Sequence, residues 1–101
     1  MSKLRKAAQG QQCTLMIFPY CDWVEEKVVL AHLPSEDKGM GNKSPDWWAV
    51  HACDSCHAII DGRSKVALTQ SEIDECVARG LYRTWKRNIE AGLIKIKGVN
   101  L

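Results

Sequence analysis

A chain of 101 residues that carries Cys53-Asp54-Ser55-Cys56 has two thiols fixed about one turn apart, and the rest of its fold must suit whatever they hold. The C-x2-C spacing lets two thiolates grip one tetrahedral zinc ion. A structural zinc takes four ligands, so one knuckle asks for a second pair. Cys13 and Cys21 offer it at the wider spacing C-x7-C, with the turn-like "PYCDW" able to bring Cys21 back toward Cys13. Taken alone, Cys13 and Cys21 read as small buried apolar side chains. Two pairs together favour a structural zinc held by Cys13, Cys21, Cys53 and Cys56. Cys76 falls on a helix near its apolar side and reads as a packing residue.

The cysteine count is five, an odd number that argues against a disulfide framework. "MSKLRKAAQGQQ" has no apolar leader, and no run approaches the roughly 18 apolar residues of a membrane span. A cytoplasmic protein, with reduced thiols and no membrane partner, is therefore expected. The length suits a single domain, 1–101, whose modest core benefits from a metal staple. With 26% charged residues and a net charge of +2, the chain is neither a disordered tail nor a polycation. The mild positive sign admits an acidic partner without requiring one.

The pattern along the chain predicts a mixed α+β fold. Residues 2–9 suit a short basic helix, with Ser2 as its cap and Gly10 as its end. "CTLMIF" and "KVVLAHL" read as two strands of a hairpin, with His32 near the end of the second. Residues 34–45 form a long polar loop. "DWWAVHA" fits either a strand or a helical turn. "DSCHAIID" suits a short helix ending at Gly62. "TQSE", from Thr69, is a capping box that opens a longer helix, with Gly92 as its stop. On that helix Ile73, Val77, Leu81, Trp85 and Ile89 share one arc and are expected in the core. Arg79, Arg83, Lys86 and Arg87 fall opposite and read as a solvated face.

The stretch from Cys53 to His57 also spells the C-x-x-C-H of covalent haem attachment. That assignment would leave Cys13 and Cys21 unused and normally requires export. No βαβ pattern surrounds the knuckle to support a thioredoxin-like site, and the zinc-deaminase signature is absent. If Cys53 and Cys56 hold zinc, His57 and Asp61 remain. Spaced i, i+4, they share one helix face and can hold a divalent cation with open positions for water and phosphate. The plainer readings are a surface histidine and a helix-end carboxylate. The residues thus suggest two metals side by side: a closed thiolate site and an open one. His51 divides evenly between a role near the zinc and surface exposure.

A strand-borne histidine, a loop, and then "CDSCH" with a further ligand four residues on resembles the HNH, or ββα-metal, nucleases. The closer resemblance is to the small YbcO-like nucleases of lambdoid prophages and to the related RecA-dependent HNH nuclease of a temperate phage. It runs from "LRKAA" through Cys13, Cys21, "LAH" at 30–32 and Gly39 to Asp46, and on to "ACDSCHAIIDGR" at 52–63. It implies a zinc-bound ββα-metal (His-Me finger) core with a C-terminal amphipathic helix. It further implies His32 as general base and His57 as metal ligand. Asp61 stands where many members carry a second histidine or asparagine ligand. Ala31 stands where many have a further metal-binding residue, and Asp46 where the middle asparagine falls.

The activity so implied is endonucleolytic hydrolysis of DNA, with zinc as structural metal and Mg2+ or Mn2+ as catalytic metal on His57 and Asp61. A phage or host recombination protein is a further partner the resemblance admits. Lys43, Arg63 and Lys65 flank the site and are candidates for phosphate contact, or else ordinary surface charge. Trp47 and Trp48 could stack bases or cover the knuckle. The competing class is a non-catalytic zinc-ribbon module that binds nucleic acid or a protein partner. His57 and Asp61 separate the two, since only the enzyme needs them.

Overall fold

The computed structural model describes residues 2–36 and 44–98. Among the described residues, three α-helices and a short 3-10 turn at Glu25–Lys27 accompany a two-stranded sheet. Helix α1 (Lys3–Ala8) opens on Ser2, whose hydroxyl accepts from the Arg5 amide at 3.1 Å. Strand β1 (Val29–His32) pairs antiparallel with β2 (Ala49–Ala52), and His32 lies opposite Ala49. Helix α2 (Asp54–Ile60) follows β2 after a single residue. Helix α3 (Gln70–Glu90) opens on the predicted capping box: Thr69 accepts from the Glu72 amide, and the Glu72 carboxylate accepts from the Thr69 amide. That exchange satisfies two of the donors a helix start leaves open.

The predicted hairpin between "CTLMIF" and "KVVLAHL" does not form. Residues 13–18 are largely buried but not a strand, and the partner of β1 is β2, from the segment whose sequence fits either a strand or a helical turn. The cause is local. Met16 sits at φ 46°, which breaks an extended run, and the Tyr20 and Cys21 amides both turn back to the Ile17 carbonyl at 2.8 Å. The segment's apolar residues serve as core plugs: Leu15 and Ile17 are fully buried. Burying each contributes about 1.5–3 kcal/mol.

The sheet separates two apolar groups with a period of two. Ala31, Val50 and Ala52 join the main core with Leu15, Ile17 and the four cysteines. Leu30 and Ala49 meet Ala8 and Leu4 of α1 in a smaller cluster. All four residues of β2 are buried, as expected of a strand covered on both faces.

Helix α3 is seated differently from its sequence pattern. Its fully buried line is Gly80, Thr84 and Asn88; of the predicted arc, Ile73, Val77 and Leu81 are half-buried and pack against the main core as expected, while Trp85 and Ile89 are half-buried outside it. A Cβ on Gly80 would come within 3.0 Å of Leu15 Cδ2 and 3.3 Å of the Thr14 carbonyl, so glycine permits the close approach here. At the next turn Thr84 Oγ1 meets Thr14 Oγ1 at 2.8 Å, and the His51 amide reaches both hydroxyls, at 3.1 Å to Thr14 and 3.2 Å to Thr84. Arg83 and Arg87, expected to be solvated, instead fold inward. Arg83 donates to the Thr14 carbonyl at 2.7 Å and Arg87 to the Gln12 carbonyl at 3.1 Å. The loop that carries Cys13 has no strand partner for these carbonyls, so arginine donors take that place. No described helix is long and apolar enough to cross a membrane.

Candidate functional site

Cys53, the one residue between β2 and α2, caps that helix, while Cys56 lies in its first turn. The Cys56 amide donates to Cys53 Sγ at 3.5 Å, the exchange expected of a knuckle. Cys13 and Cys21 arrive from the looped segment, closed by the turn at Ile17. The four Sγ atoms lie within 4.8 Å of one another, and all four residues are buried. Four sulfurs around a zinc at about 2.3 Å stand roughly 3.8 Å apart along the edges of the tetrahedron. Cys21 and Cys53 already stand 3.7 Å apart.

The electrostatics of this group call for a cation. Cys13 is pulled down to about 5 by the hydrogen bond it accepts from the Cys56 thiol. Burial pushes Cys21 up to about 12, with the Cys13 charge adding to it. Cys56 is pushed up by its bond to Cys13 and by burial. One thiolate is thus tolerated and its neighbours resist ionising beside it. A divalent cation removes that resistance, and four thiolates suit zinc. Cys76, half-buried against the core, stands apart from the group.

His57 and Asp61 lie on the exposed side of α2. One helical turn brings His57 Nε2 to 3.2 Å from Asp61 Oδ2. Arg63 reaches the same carboxylate oxygen with Nη2 at 3.2 Å and Nε at 3.3 Å. Gly62, at φ 78°, turns the chain out of the helix and lets Arg63 fold back. His32 and Asp61 line one cleft of about 490 Å3, together with Pro34, Trp48, Ile73 and Asp74. Lys65 is exposed. Lys43 lies outside the described residues.

Asp46, whose role the sequence leaves open, accepts from or pairs with three groups. His32 Nε2 lies 2.7 Å from its Oδ1. The Ser2 hydroxyl donates to Oδ2, and Arg5 Nη2 stands 3.7 Å from Oδ1. The Ser2 bond, then the His32 bond, hold the Asp46 carboxyl below the usual carboxylate range. It is therefore ionised at neutral pH and accepts a proton-bearing Nε2 from His32. The lone pair of the neutral imidazole is then on Nδ1.

His51 is fully buried, which removes plain surface exposure, and it is not one of the four clustered ligands. Its Nδ1 accepts from Arg87 Nη1 at 2.8 Å, and among the described residues its Nε2 has no partner. Burial, then the Arg87 charge, push its pKa down to about 4. Trp48 packs on the core and donates Nε1 to the Pro34 carbonyl at 2.8 Å. Trp47 is half-exposed and meets Trp48 and Trp85 edge-on. Sequence reasoning missed the Ser2–Asp46 bond and the inward arginines. The glycine, threonine and asparagine spaced by four along α3 are the available sign that its packed line is not purely apolar.

Comparison with known proteins gives a consistent picture. A family profile described as "Putative nuclease YbcO" matches residues 2–93. The chain is 38% identical over 96 residues to "Putative nuclease YbcO" of Escherichia coli strain K12, covering 94% of this chain and 99% of that protein. The same figures hold for "Putative nuclease ybcO" of Enterobacteria phage 82. Among solved structures, "a putative bacteriophage protein" from Escherichia coli K-12 MG1655 superposes with a TM-score of 0.75. It is 34% identical, with 89% of this chain and all of that chain covered.

Proposed function

The chain belongs to the family described as "Putative nuclease YbcO", and from that membership and the geometry of its cleft we propose that it is an HNH-type, metal-dependent endonuclease hydrolysing DNA phosphodiester bonds. The observation that carries this reading is the shared cleft: His32 at the end of β1 and Asp61 at the cap of α2 both line it. Strands β1 and β2 followed by α2 follow the order expected of a ββα-metal core, and a zinc held by the four cysteines would anchor the junction of β2 and α2.

His32 acts as the general base. Asp46 fixes the ring by accepting Nε2–H, so Nδ1 takes the proton from the attacking water. Ser2 in turn holds the other carboxylate oxygen of Asp46, and Arg5 stands near the same oxygen as His32. His57 and Asp61 would hold the catalytic cation in place of their present contact with each other, and Asp61 would release Arg63 in doing so. Mg2+ or Mn2+ there would supply positive charge to the phosphoryl oxygens and the leaving group. Arg63, once released, would be available to a substrate phosphate, and Lys65 and Lys43 are further candidates for contacts of the same kind.

Supercoiled plasmid tests the reading. Pure protein should nick it with Mg2+ or Mn2+, stop on brief chelation without unfolding, and resume when the metal returns. His57→Ala and Asp61→Ala should lose that recovery and keep their zinc. A wild-type protein that binds DNA but never nicks it, with either metal, would favour the non-catalytic zinc-ribbon module.

A further inference from the structure

His32 lies on a ridge between two cavities. One is the cleft shared with Asp61. The other, of about 340 Å3, is lined by Arg5, Gln9, Val29, Leu30 and His32. We infer that Arg5 holds a backbone phosphate neighbouring the scissile one, in this second cavity. The inference rests on the nuclease reading and extends it to how the substrate strand is laid across the site.

Phosphates recur about every 3.4 Å of helix axis along one strand of a duplex. A strand with its scissile phosphate beside His32 therefore presents another close by, on whichever side the backbone leaves. The side away from Asp61 is the cavity containing Arg5. A guanidinium is the side chain best matched to a phosphate, because its planar fork donates two parallel bonds. Arg5 remains able to do so. Its contact with Asp46 is 3.7 Å long, through Nη2, and its side chain is 42% exposed. Asp46 already has the closer partners Ser2 and His32, so it orients the guanidinium without saturating its five donors. Arg63, by contrast, spends both Nε and Nη2 on Asp61. Helix α1 thereby serves the site twice, since its start braces Asp46 through Ser2 and its first turn presents Arg5 to the strand.

A purely structural role for Arg5, acting through Asp46, predicts a different outcome, and binding measurements separate the two. A labelled duplex is titrated in Ca2+ over a series of salt concentrations, with every protein in a His32→Ala background to block cleavage. Arg5→Ala should weaken binding and flatten the slope of log K against log salt by about 0.9, the loss of one phosphate contact. Arg5→Lys should keep most of the slope. In plasmid cleavage with His32 restored, Arg5→Ala should raise KM more than it lowers kcat, and Asp46→Asn should do the reverse. An unchanged slope in Arg5→Ala, with the loss confined to kcat, would overturn the inference while leaving the nuclease reading intact. A wild-type protein that neither binds nor cleaves DNA would overturn both.

Discussion

Replacing Thr84 by valine tests how α3 is fastened to the rest of the molecule. The change keeps the β-branched shape and removes one hydroxyl. Thr14 has a single hydroxyl hydrogen, and it donates to the His51 carbonyl at 2.9 Å. The 2.8 Å contact between the two threonines is therefore Thr84 donating to Thr14. The His51 amide divides its hydrogen between them, at 3.1 and 3.2 Å. Thr84→Val removes one O–H bond and the longer arm of a shared one. No buried group is orphaned, since Thr14 still accepts from His51 and still donates to it. The expected loss is about 1–1.5 kcal/mol, one net hydrogen bond. Thr14→Val is different. It removes two O–H bonds and the shorter arm of the shared one, and leaves the buried Thr84 hydroxyl to find another acceptor, so about 2–4 kcal/mol is expected.

Urea unfolding of zinc-loaded protein, followed by circular dichroism, measures both variants. For a domain of this size the smaller loss corresponds to roughly 5–10 °C in Tm. Zinc content should be unchanged, because neither residue is a thiol. A Thr84→Val loss equal to or larger than that of Thr14→Val would refute the assignment of donors and the place of Thr14 as hub.

Purified protein should contain about one zinc per chain, and Cys53→Ser should lose it together with most of its helical signal; folded protein free of zinc by elemental analysis would contradict the thiolate assignment. His51 should make stability fall as the medium becomes acidic. Its pKa is pushed down to about 4 in the fold from an ordinary 6.5, so the unfolded chain binds the proton first. This contribution is intact above about pH 6.5 and is lost as pH falls toward 4, amounting to about 1.4 kcal/mol between pH 7.5 and 5.5. His51→Leu should lack that component, which paired urea titrations at the two pH values would show. Arg87→Met should cost about 1–3 kcal/mol by leaving the buried His51 Nδ1 without its donor, whereas Lys86→Met, on the exposed side, should stay within about 0.5 kcal/mol in the same assay.

Much of the candidate site is legible in the sequence because its parts are local. Cys53, Cys56, His57 and Asp61 belong to one turn and one short helix, whose geometry follows from residue spacing alone. Helix ends are legible for the same reason: Ser2, Thr69 and Glu72 act on backbone three residues away. What the sequence hides is long-range. "CTLMIF" has the apolar, β-branched content of a strand, yet Met16 leaves the extended region and the cysteine loop sets the path. Burial pressure on Leu15 and Ile17 produces the same apolar run whether the backbone is a strand or a looped plug. Arg83 and Arg87 read as solvent-facing because nothing nearby in sequence shows that the carbonyls of Gln12 and Thr14 lack other partners. In the sequence Asp46 stands out only as a replacement for asparagine. Its bonds to Ser2 and His32 span 44 and 14 residues, and no spacing rule reaches that far.

The central claim is that His32, held by Asp46, takes the proton from the water that attacks DNA in the cleft it shares with Asp61. The most direct measurement is the plasmid-nicking rate of wild-type protein and His32→Ala, side by side in Mg2+ and in Mn2+, with zinc content and melting temperature recorded for both. Wild type should nick in a metal-dependent way. His32→Ala should lose at least about a hundredfold in rate, of the order expected for removing a general base, with zinc and melting nearly unchanged. A His32→Ala variant that nicks as fast as wild type would contradict the claim.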